Sequence, residues 1–343
     1  MADGMYRIGI VGATTLAGKE LSDELQDSLL GAAEFVLLDE DEEAAGLMTA
    51  AGDEPAFIHR IEASSFEKMD FVFFVGDAAG TKKFWQQARR SGASLVDMTY
   101  ALGGEKDVLV RAPLLGAGIH GPDLKTPAVV AAHPAAVMLA LVAVRLKAKL
   151  AVTTIAATVM EPASEHGKAA MDELHQQTVN LLSFHAVPKE HYDAQVSFNL
   201  LPVLGDAAKI DLWVIEQRIR AHYGVLTGAA SELALQLVQA PVFHGYAASV
   251  LVELGEAATV EQVKTALKGE WVDVVDEGSD PPSNVSAAGQ PKVMVRVRTA
   301  GEAAGESKRF WMWLAADNLK LGAVNAIACA LELRRMRPSG KVQ

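Results

Sequence analysis

The sequence is short of cysteine, of aromatic residues and of positive charge, and the first and last of these shortages exclude whole classes of function. One cysteine, Cys329, in 343 residues excludes an intramolecular disulfide and any multi-cysteine metal site, and the reading that follows is a chain kept in a reducing, cytoplasmic compartment. Lysine and arginine number 31 against 43 aspartate and glutamate, a formal net charge of −12. No cluster of basic residues stands out, which argues against nucleic acid as a partner, because affinity for a phosphate backbone rests on such clusters. No apolar run reaches the roughly 18 residues that mark a membrane-spanning helix. The nearest, 127–144, carries His133 and Pro134 near its middle, so no membrane partner is expected. The N-terminal MADGMYRIGIVGATT lacks a basic segment followed by a long apolar one, and no signal peptide is expected from it. Low-complexity tracts, charged tails and internal repeats are also missing.

What remains is a globular composition, 50% hydrophobic and 22% charged, in a chain long enough for two domains. The first half alternates short β-rich runs (YRIGIV, EFVLLD, AFIHRI, DFVFFV, SLVDM, AVVAA) with amphipathic stretches at 16–29 and 80–91, the pattern of parallel βαβ units. From about 134 the strands lengthen to AVTTIAATVM, ELALQLVQAPV and GYAASVLVEL, with helices expected near 166–183 and 206–222. Thr259 and Gln262 have capping-box spacing, and Gly269 stands where a helix would end. The stretch 276–291, rich in Gly, Pro and Ser, predicts a long surface loop. SKRFWMWLAAD then leads into a last helix from Asn318 to about Arg337. The fold class expected is α/β, a Rossmann-like first domain followed by an α+β domain.

Two stretches carry candidate chemistry. YRIGIVGATTLAGKEL sets Gly12 and Gly18 at a strand-to-helix junction, where glycines let a backbone approach a pyrophosphate and helix N–H groups hold its charge. The third glycine of a full fingerprint is replaced by Thr15, whose Cβ would stand where a diphosphate runs. At the end of the second strand, LLDEDEEAAG supplies no Arg, Lys or Ser for a 2′-phosphate. Asp39 is placed to accept from an adenosine ribose, and the five acids from Asp39 to Glu43 disfavour NADP relative to NAD. A packing turn and a solvated acidic loop that bind nothing are the competing readings. The second stretch, PAVVAAHPAAVMLALVAVRL, reads as a buried strand, a turn at His133-Pro134 and a helix.

IGIVGATTLAGKEL, AAHPAAVML, SFNLLP, APVFHGYAASV and AADNLKLGAVNAIA fall in an order that resembles the aspartate-semialdehyde dehydrogenases over residues 6–336, and more narrowly their Usg-type paralogues. The resemblance implies a dinucleotide-binding-type domain from 1–132 plus 318–343, completed by the C-terminal helix. It also implies a substrate and dimerisation domain from 133–317 and a homodimer. Cofactor contacts would come from Gly12, Thr14, Thr15, Leu16, Gly18, Asp39 and Asn318. Members of that family reductively dephosphorylate aspartyl phosphate with NADPH through a thioester. That chemistry uses a cysteine, a substrate-positioning glutamine, a carboxylate-pairing arginine and a proton-moving histidine. The corresponding positions hold Ala136, Glu161, Gln239 and Tyr246, and Gly103 stands where an arginine would hold phosphate. Glu216 matches a substrate-binding glutamate.

Loss of one member of such a set commonly costs ~10⁴-fold in rate, so the expectation is a non-catalytic interaction or regulatory protein without the parent activity. The alternative is an NAD(P)-binding oxidoreductase that acts on an aldehyde or oxo group of an amino-acid-derived substrate without a thioester. Glu161, His133 and Tyr246 form a new acid–base set in that second reading, and merely fill a vacated pocket in the first. His166, His175, His185 and His191 lack metal-site spacing, so no metal is expected. Cys329 lies in an apolar helix and reads as inert. Trp311 and Trp313 alternate with Met312 and share one strand face, for packing or an interface.

Overall fold

The computed structural model describes residues 6–31, 33–40, 46–51, 54–62, 64–116, 127–228, 233–301 and 305–334. Three acids of the expected 39–43 run, 41–43, and the last residues of the expected final helix, 335–337, lie outside these. The described residues fall into two compact units, one drawn from 1–133 and 322–343, the other from 134–321.

In the first unit, β1 (Arg7–Val11) is followed by α1 (Leu16–Gln26), β2 (Glu34–Asp39), β3 (Met48–Ala51), β4 (Glu54–Arg60), β5 (Phe71–Phe74), α2 (Ala78–Arg90), β6 (Ser94–Asp97), β7 (Leu109–Arg111) and β8 (Ala128–Ala131). They build one sheet in the order β3-β4-β2-β1-β5-β6-β8-β7, parallel except for the β3–β4 pair. The strands are apolar on both sides because both faces are covered. Ile8, Ile10, Phe71 and Phe73 pack with Leu21 and Leu25 of α1 and with Ala323, Ala326, Ala330 and Leu333 of the C-terminal helix. Val72, Phe74 and Leu95 pack with Trp85 and Ala88 of α2 on the other face. The alanines let the last helix approach closely, and Arg111 holds it through two donors to Glu332 at 3.0 and 2.6 Å.

The second unit runs through α3 (Pro134–Lys147), β9 (Val152–Glu161), α4 (Lys168–Leu182), α5 (Leu212–Thr227), β10 (Leu233–Gln239), β11 (Tyr246–Ala258), α6 (Val260–Leu267), β12 (Val272–Val274), α7 (Asn284–Ala287), β13 (Val293–Thr299) and β14 (Ser307–Ala316) to the start of α8 (Asn318–Arg334). The sheet order is β10-β9-β11-β14-β13-β12. Ile155, Ala157, Val159, Val250, Val252, Phe310, Met312 and Leu314 alternate onto a buried face. The helix α3, apolar around its whole circumference, is buried beside β9, α5 and α6. The opposite sheet face carries Ala156, Thr158, Gln236, Ser249, Leu251 and Trp311, which line a shallow concavity. Trp313 shares that face and donates from Nε1 to the Pro282 carbonyl at 2.9 Å.

Several local expectations are corrected. The first helix stops at Gln26 rather than 29, and α5 begins at Leu212 rather than 206 because the Asp211 side chain caps it. Residues 163–166 form a separate 3-10 turn ahead of α4. The Thr259–Gln262 capping box forms, but Gly269 does not cap α6: Lys268 does, in an extended conformation (φ −54°, ψ 131°). Gly269 instead lies so close to the Arg145 guanidinium that an added Cβ would overlap it. The 276–291 loop contains the short helix α7, capped by Ser283 and Ser286. Among the described residues no helix is long and apolar enough to cross a membrane.

Candidate functional site

In the first unit the site is the β1–α1 turn. Gly12 has φ +91°, and an added Cβ would lie 2.3 Å from the backbone of Gly76. At Gly18 an added Cβ would lie 2.3 Å from the Gly12 carbonyl oxygen. Both glycines are therefore demanded by the crossing of backbones, whatever binds there. Thr15 is the N-cap of α1: its hydroxyl accepts from Gly18 N at 3.0 Å and reaches back to the Gly12 carbonyl at 2.8 Å. Leu16 begins the helix. Thr14 donates to the nearly buried Asp39 carboxylate at 2.5 Å.

The fold also brings cations to the end of β2 that the local sequence does not contain. Arg60 on β4 is the register partner of Asp39, and Lys83 on α2 pairs with Glu40. The surroundings of the described acids are thus not purely negative.

In the second unit the ends of β9, β10 and β11 and the start of α8 gather a buried polar cluster. Glu161 is fully buried; its Oε2 meets His166 Nε2 at 3.1 Å and its Oε1 has no hydrogen-bond partner. Gln239, also fully buried, donates through Nε2 to the carbonyls of Glu161 and Ala240 at 3.1 Å each. Glu165 accepts from Asn318 Nδ2 at 3.0 Å and from the Tyr246 hydroxyl. Burial, and then the charge of Glu161, push the Glu165 carboxyl up to about 7. For His166, burial acts to lower the pKa, but the Glu161 and Glu165 carboxylates outweigh it and the imidazole is raised.

Behind this cluster, Asn318 Oδ1 accepts from Ser164 Oγ and from Gly245 N at 3.1 Å each. His244 bridges Ser164, through Nδ1 at 3.1 Å, to Asp317, through Nε2 at 2.9 Å. Asp317 also accepts from Gly289 N and Lys320 N, and although burial opposes ionisation, these hydrogen bonds hold its carboxyl below the usual range. The Asn318 amide, expected at a cofactor, is spent at both ends inside the second unit.

The other candidates lie as follows. Ala136 sits in the first turn of α3, fully buried, and presents a methyl group. His133 is buried at the end of the first unit, stacked on Tyr100 with ring centroids 5.2 Å apart. Tyr100 has φ +63° in a turn that the Asp97 carboxylate organises through Thr99 N and Leu102 N; Gly103 follows it. Cys329 is fully buried near the Arg111 carbonyl, and burial pushes its thiol far up. Glu216 accepts from Leu237 N at 2.9 Å and lines a cavity of about 350 Å³ with Pro202, Ile210 and Trp213. Of the four histidines weighed for metal, His166 alone enters the polar cluster.

Sequence reasoning missed Glu165, His166, Ser164, His244 and Asp317 as one network. A signal existed: EPASEHG packs Glu161, Glu165 and His166 into six residues ahead of a glycine, and the turn it forms folds them together.

Comparison with known proteins covers nearly the whole chain. The model of the semialdehyde dehydrogenase NAD binding domain matches residues 7–160, and that of the semialdehyde dehydrogenase dimerisation domain matches 144–321. A USG-1 protein homolog of Azotobacter vinelandii is 29% identical over 331 residues, 94% of this chain and 96% of the relative. An aspartate-semialdehyde dehydrogenase of Rickettsia bellii is 25% identical over 339 residues, 96% of this chain and 97% of the relative. Among solved structures, a probable aspartate-semialdehyde dehydrogenase from Pseudomonas aeruginosa superposes with a TM-score of 0.84 at 26% identity, covering 97% of this chain and all of that one.

Proposed function

This chain belongs to the semialdehyde dehydrogenase family, and from that premise we propose that it is a dimeric member without the parent oxidoreductase activity, acting through binding rather than turnover. One observation carries the reading. Where the motif order places the family's nucleophile, on the first turn of α3, stands the buried methyl of Ala136. A methyl group forms no thioester. The one cysteine of the sequence, Cys329, is fully buried in the core of the first unit, its thiol held protonated. The other positions that the resemblance points to support the reading: Gln239 carries an uncharged amide whose Nε2 donates to backbone carbonyls where an arginine is expected, and Tyr246 offers a phenol in place of an imidazole.

The β1–α1 turn fits a dinucleotide in its cradle of glycines and its helix start. Gly12, Thr14, Thr15, Leu16 and Gly18 would hold the pyrophosphate, and Asp39 the ribose. NAD or NADP, when bound, supplies a hydride acceptor. We take NAD as the preferred form, on the Asp39 carboxylate, with Arg60 and Lys83 as the residues that would admit NADP. Calorimetric titration of the purified protein with NAD, NADH, NADP and NADPH tests this. Micromolar NAD with at least tenfold weaker NADP is the expected result; no binding at millimolar concentration of any of them removes the dinucleotide from the account.

The homodimer is supported by the match to the dimerisation domain and by apolar surface in that unit. Leu182, Phe184, Phe198, Leu200, Val203 and Trp213 are exposed on and around the irregular segment 183–211, and Trp311 and Trp313 lie on the open sheet face. Light scattering at micromolar concentration is expected to give twice the mass of one chain.

A second reading, an oxidoreductase that needs no thioester, is favoured by Glu165 beside Tyr246 and Asn318, because a carboxyl pushed up to about 7 offers a proton carrier near neutral pH. NAD-dependent oxidation of a small aldehyde, abolished by Glu165→Gln, would establish it.

A further inference from the structure

We propose that Glu40 sets which dinucleotide the first unit takes, by holding Lys83 in an ion pair and so withholding that lysine from a 2′-phosphate. This rests on the dinucleotide reading above and gives Glu40 a part distinct from that of Asp39.

The pair is built where β2 ends and α2 begins. Asp77 caps α2, and its carboxylate accepts from Gly80 N at 2.7 Å. Gly80 is a poor helix former, but it leaves room for a neighbour: an added Cβ would lie 2.9 Å from Glu40 Oε2. A side chain at position 80 would push that carboxylate aside. Glu40 directly follows the last residue of β2 and reaches across to α2, where its Oε1 pairs with Lys83 Nζ. Residues three apart on a helix are neighbours on its surface, so one carboxylate lies over both Gly80 and Lys83.

The two adjacent acids are placed for different work. Asp39 is 9% exposed and accepts from the Thr14 hydroxyl of the β1–α1 turn. Glu40 faces α2 instead, and its pair is open to solvent, with side-chain exposures of 42% for Glu40 and 59% for Lys83. An exposed pair adds little to stability, so it can be broken without unfolding the unit, and a ligand can reach it. In a fold of this kind an acid at the end of the second strand accepts from the ribose 2′-hydroxyl, whereas a cation nearby accommodates a 2′-phosphate. Lys83 stands as such a cation, and Glu40 cancels its charge. Loss of Glu40 would do two things, release Lys83 and remove a negative charge. Only the first depends on Lys83, so a double-mutant cycle separates them.

The test is calorimetric titration of the full chain with NAD and NADP at low, fixed ionic strength, for the parent, Glu40→Gln, Lys83→Gln and the double variant. Arg60, level with Asp39 on β4, is unchanged in all four. Glu40→Gln is expected to tighten NADP by about tenfold while NAD stays within about threefold. Lys83→Gln should give no gain, and the double variant should lose the gain of Glu40→Gln. Adenosine 2′,5′-bisphosphate against 5′-AMP repeats the comparison with ligands that lack the nicotinamide half, and circular dichroism checks that the variants fold. If NAD binds and folded Glu40→Gln takes NADP no better than the parent, the proposal is overturned and the dinucleotide reading stands. An equal gain in the double variant overturns it as well, because repulsion by Glu40, and not its hold on Lys83, would then set the preference. No binding of any of these ligands to parent or variants removes the dinucleotide reading, and this proposal with it.

Discussion

The β1–α1 turn of the first unit and the polar cluster of the second differ in what holds each in shape. The turn is fixed by backbone against backbone. Gly12 crosses Gly76 and Gly18 crosses Gly12 with no room for a Cβ, and the Thr15 cap uses a hydroxyl to tie the same atoms. Such a turn is kept by the fold whether or not a dinucleotide is present. The cluster is fixed by side chains that project from the ends of a sheet in which Gln239 stands opposite Glu161 on β9, and Ala247 opposite Met160. A glycine signature therefore says less about chemistry than the side chains at the strand ends.

The sharpest way to break this comparison is at Gly12. Gly12→Ala puts a Cβ into the Gly76 backbone at a positive φ, and a loss of more than ~3 kcal/mol in denaturant-induced unfolding is expected. A variant as stable as the parent would show that the turn is held open for a ligand and not by packing.

The two buried histidines of the second unit sharpen the comparison next. His222 on α5 is pulled down to about 4 by burial and by Arg218. A lowered histidine means that the folded state resists the proton. Stability is intact above about 6.5 and is lost as pH falls toward 4, by up to about 3 kcal/mol. His166, raised by its carboxylates, behaves in the opposite sense: its contribution is complete below its unfolded pKa and fades as pH rises through the folded one. Imidazole titration by NMR should show two curves displaced in opposite directions, and His222→Gln should flatten the acid-side loss.

Asn318→Ala removes three hydrogen-bond partners, Ser164, Gly245 and Glu165, and should cost about 2 kcal/mol in chemical denaturation. A cost within 0.5 kcal/mol of zero, on the order of surface substitutions, would mean that the cluster is not held together by this side chain. The smallest expected effect is on activity. Ala136→Cys restores a thiol at the start of α3 and should still give no detectable turnover, because Gln239 and Tyr246 remain.

Much of the first unit was legible in the sequence, because strands covered on both faces read as apolar runs: the six expected there all formed. Strands of three or four residues, β3, β7 and β12, are too short to show a period. In β13 the alternation VMVRVRT was present but hidden by its arginines, which stand on the outer face. The helix ends at 206 and 29 were misplaced because Asp206 and Asp211 both suit a cap, and because Leu29 and Leu30 extend the apolar pattern after the chain has turned. In the site, the placing of Ala136 at the nucleophile's position comes from motif order alone, and the proposal of an inactive member rests on it. The network of Ser164, His244, Asp317 and Asn318 was not legible, because it joins residues 154 positions apart. Nor was the nearness of Arg60 and Lys83 to the end of β2, which only sheet order and helix packing create.

The account's central claim is that no thioester chemistry survives. It is tested most directly by mixing the purified protein with aspartate semialdehyde, phosphate and NADP, and separately NAD, and following reduced cofactor by absorbance. The expected trace is flat, indistinguishable from the protein-free blank, for the parent chain and for Cys329→Ala alike. Phosphate-dependent turnover that Cys329→Ala abolishes would contradict the claim, because the single thiol of the sequence would then carry the acyl group; turnover that persists in Cys329→Ala would instead establish an oxidoreductase that needs no thioester.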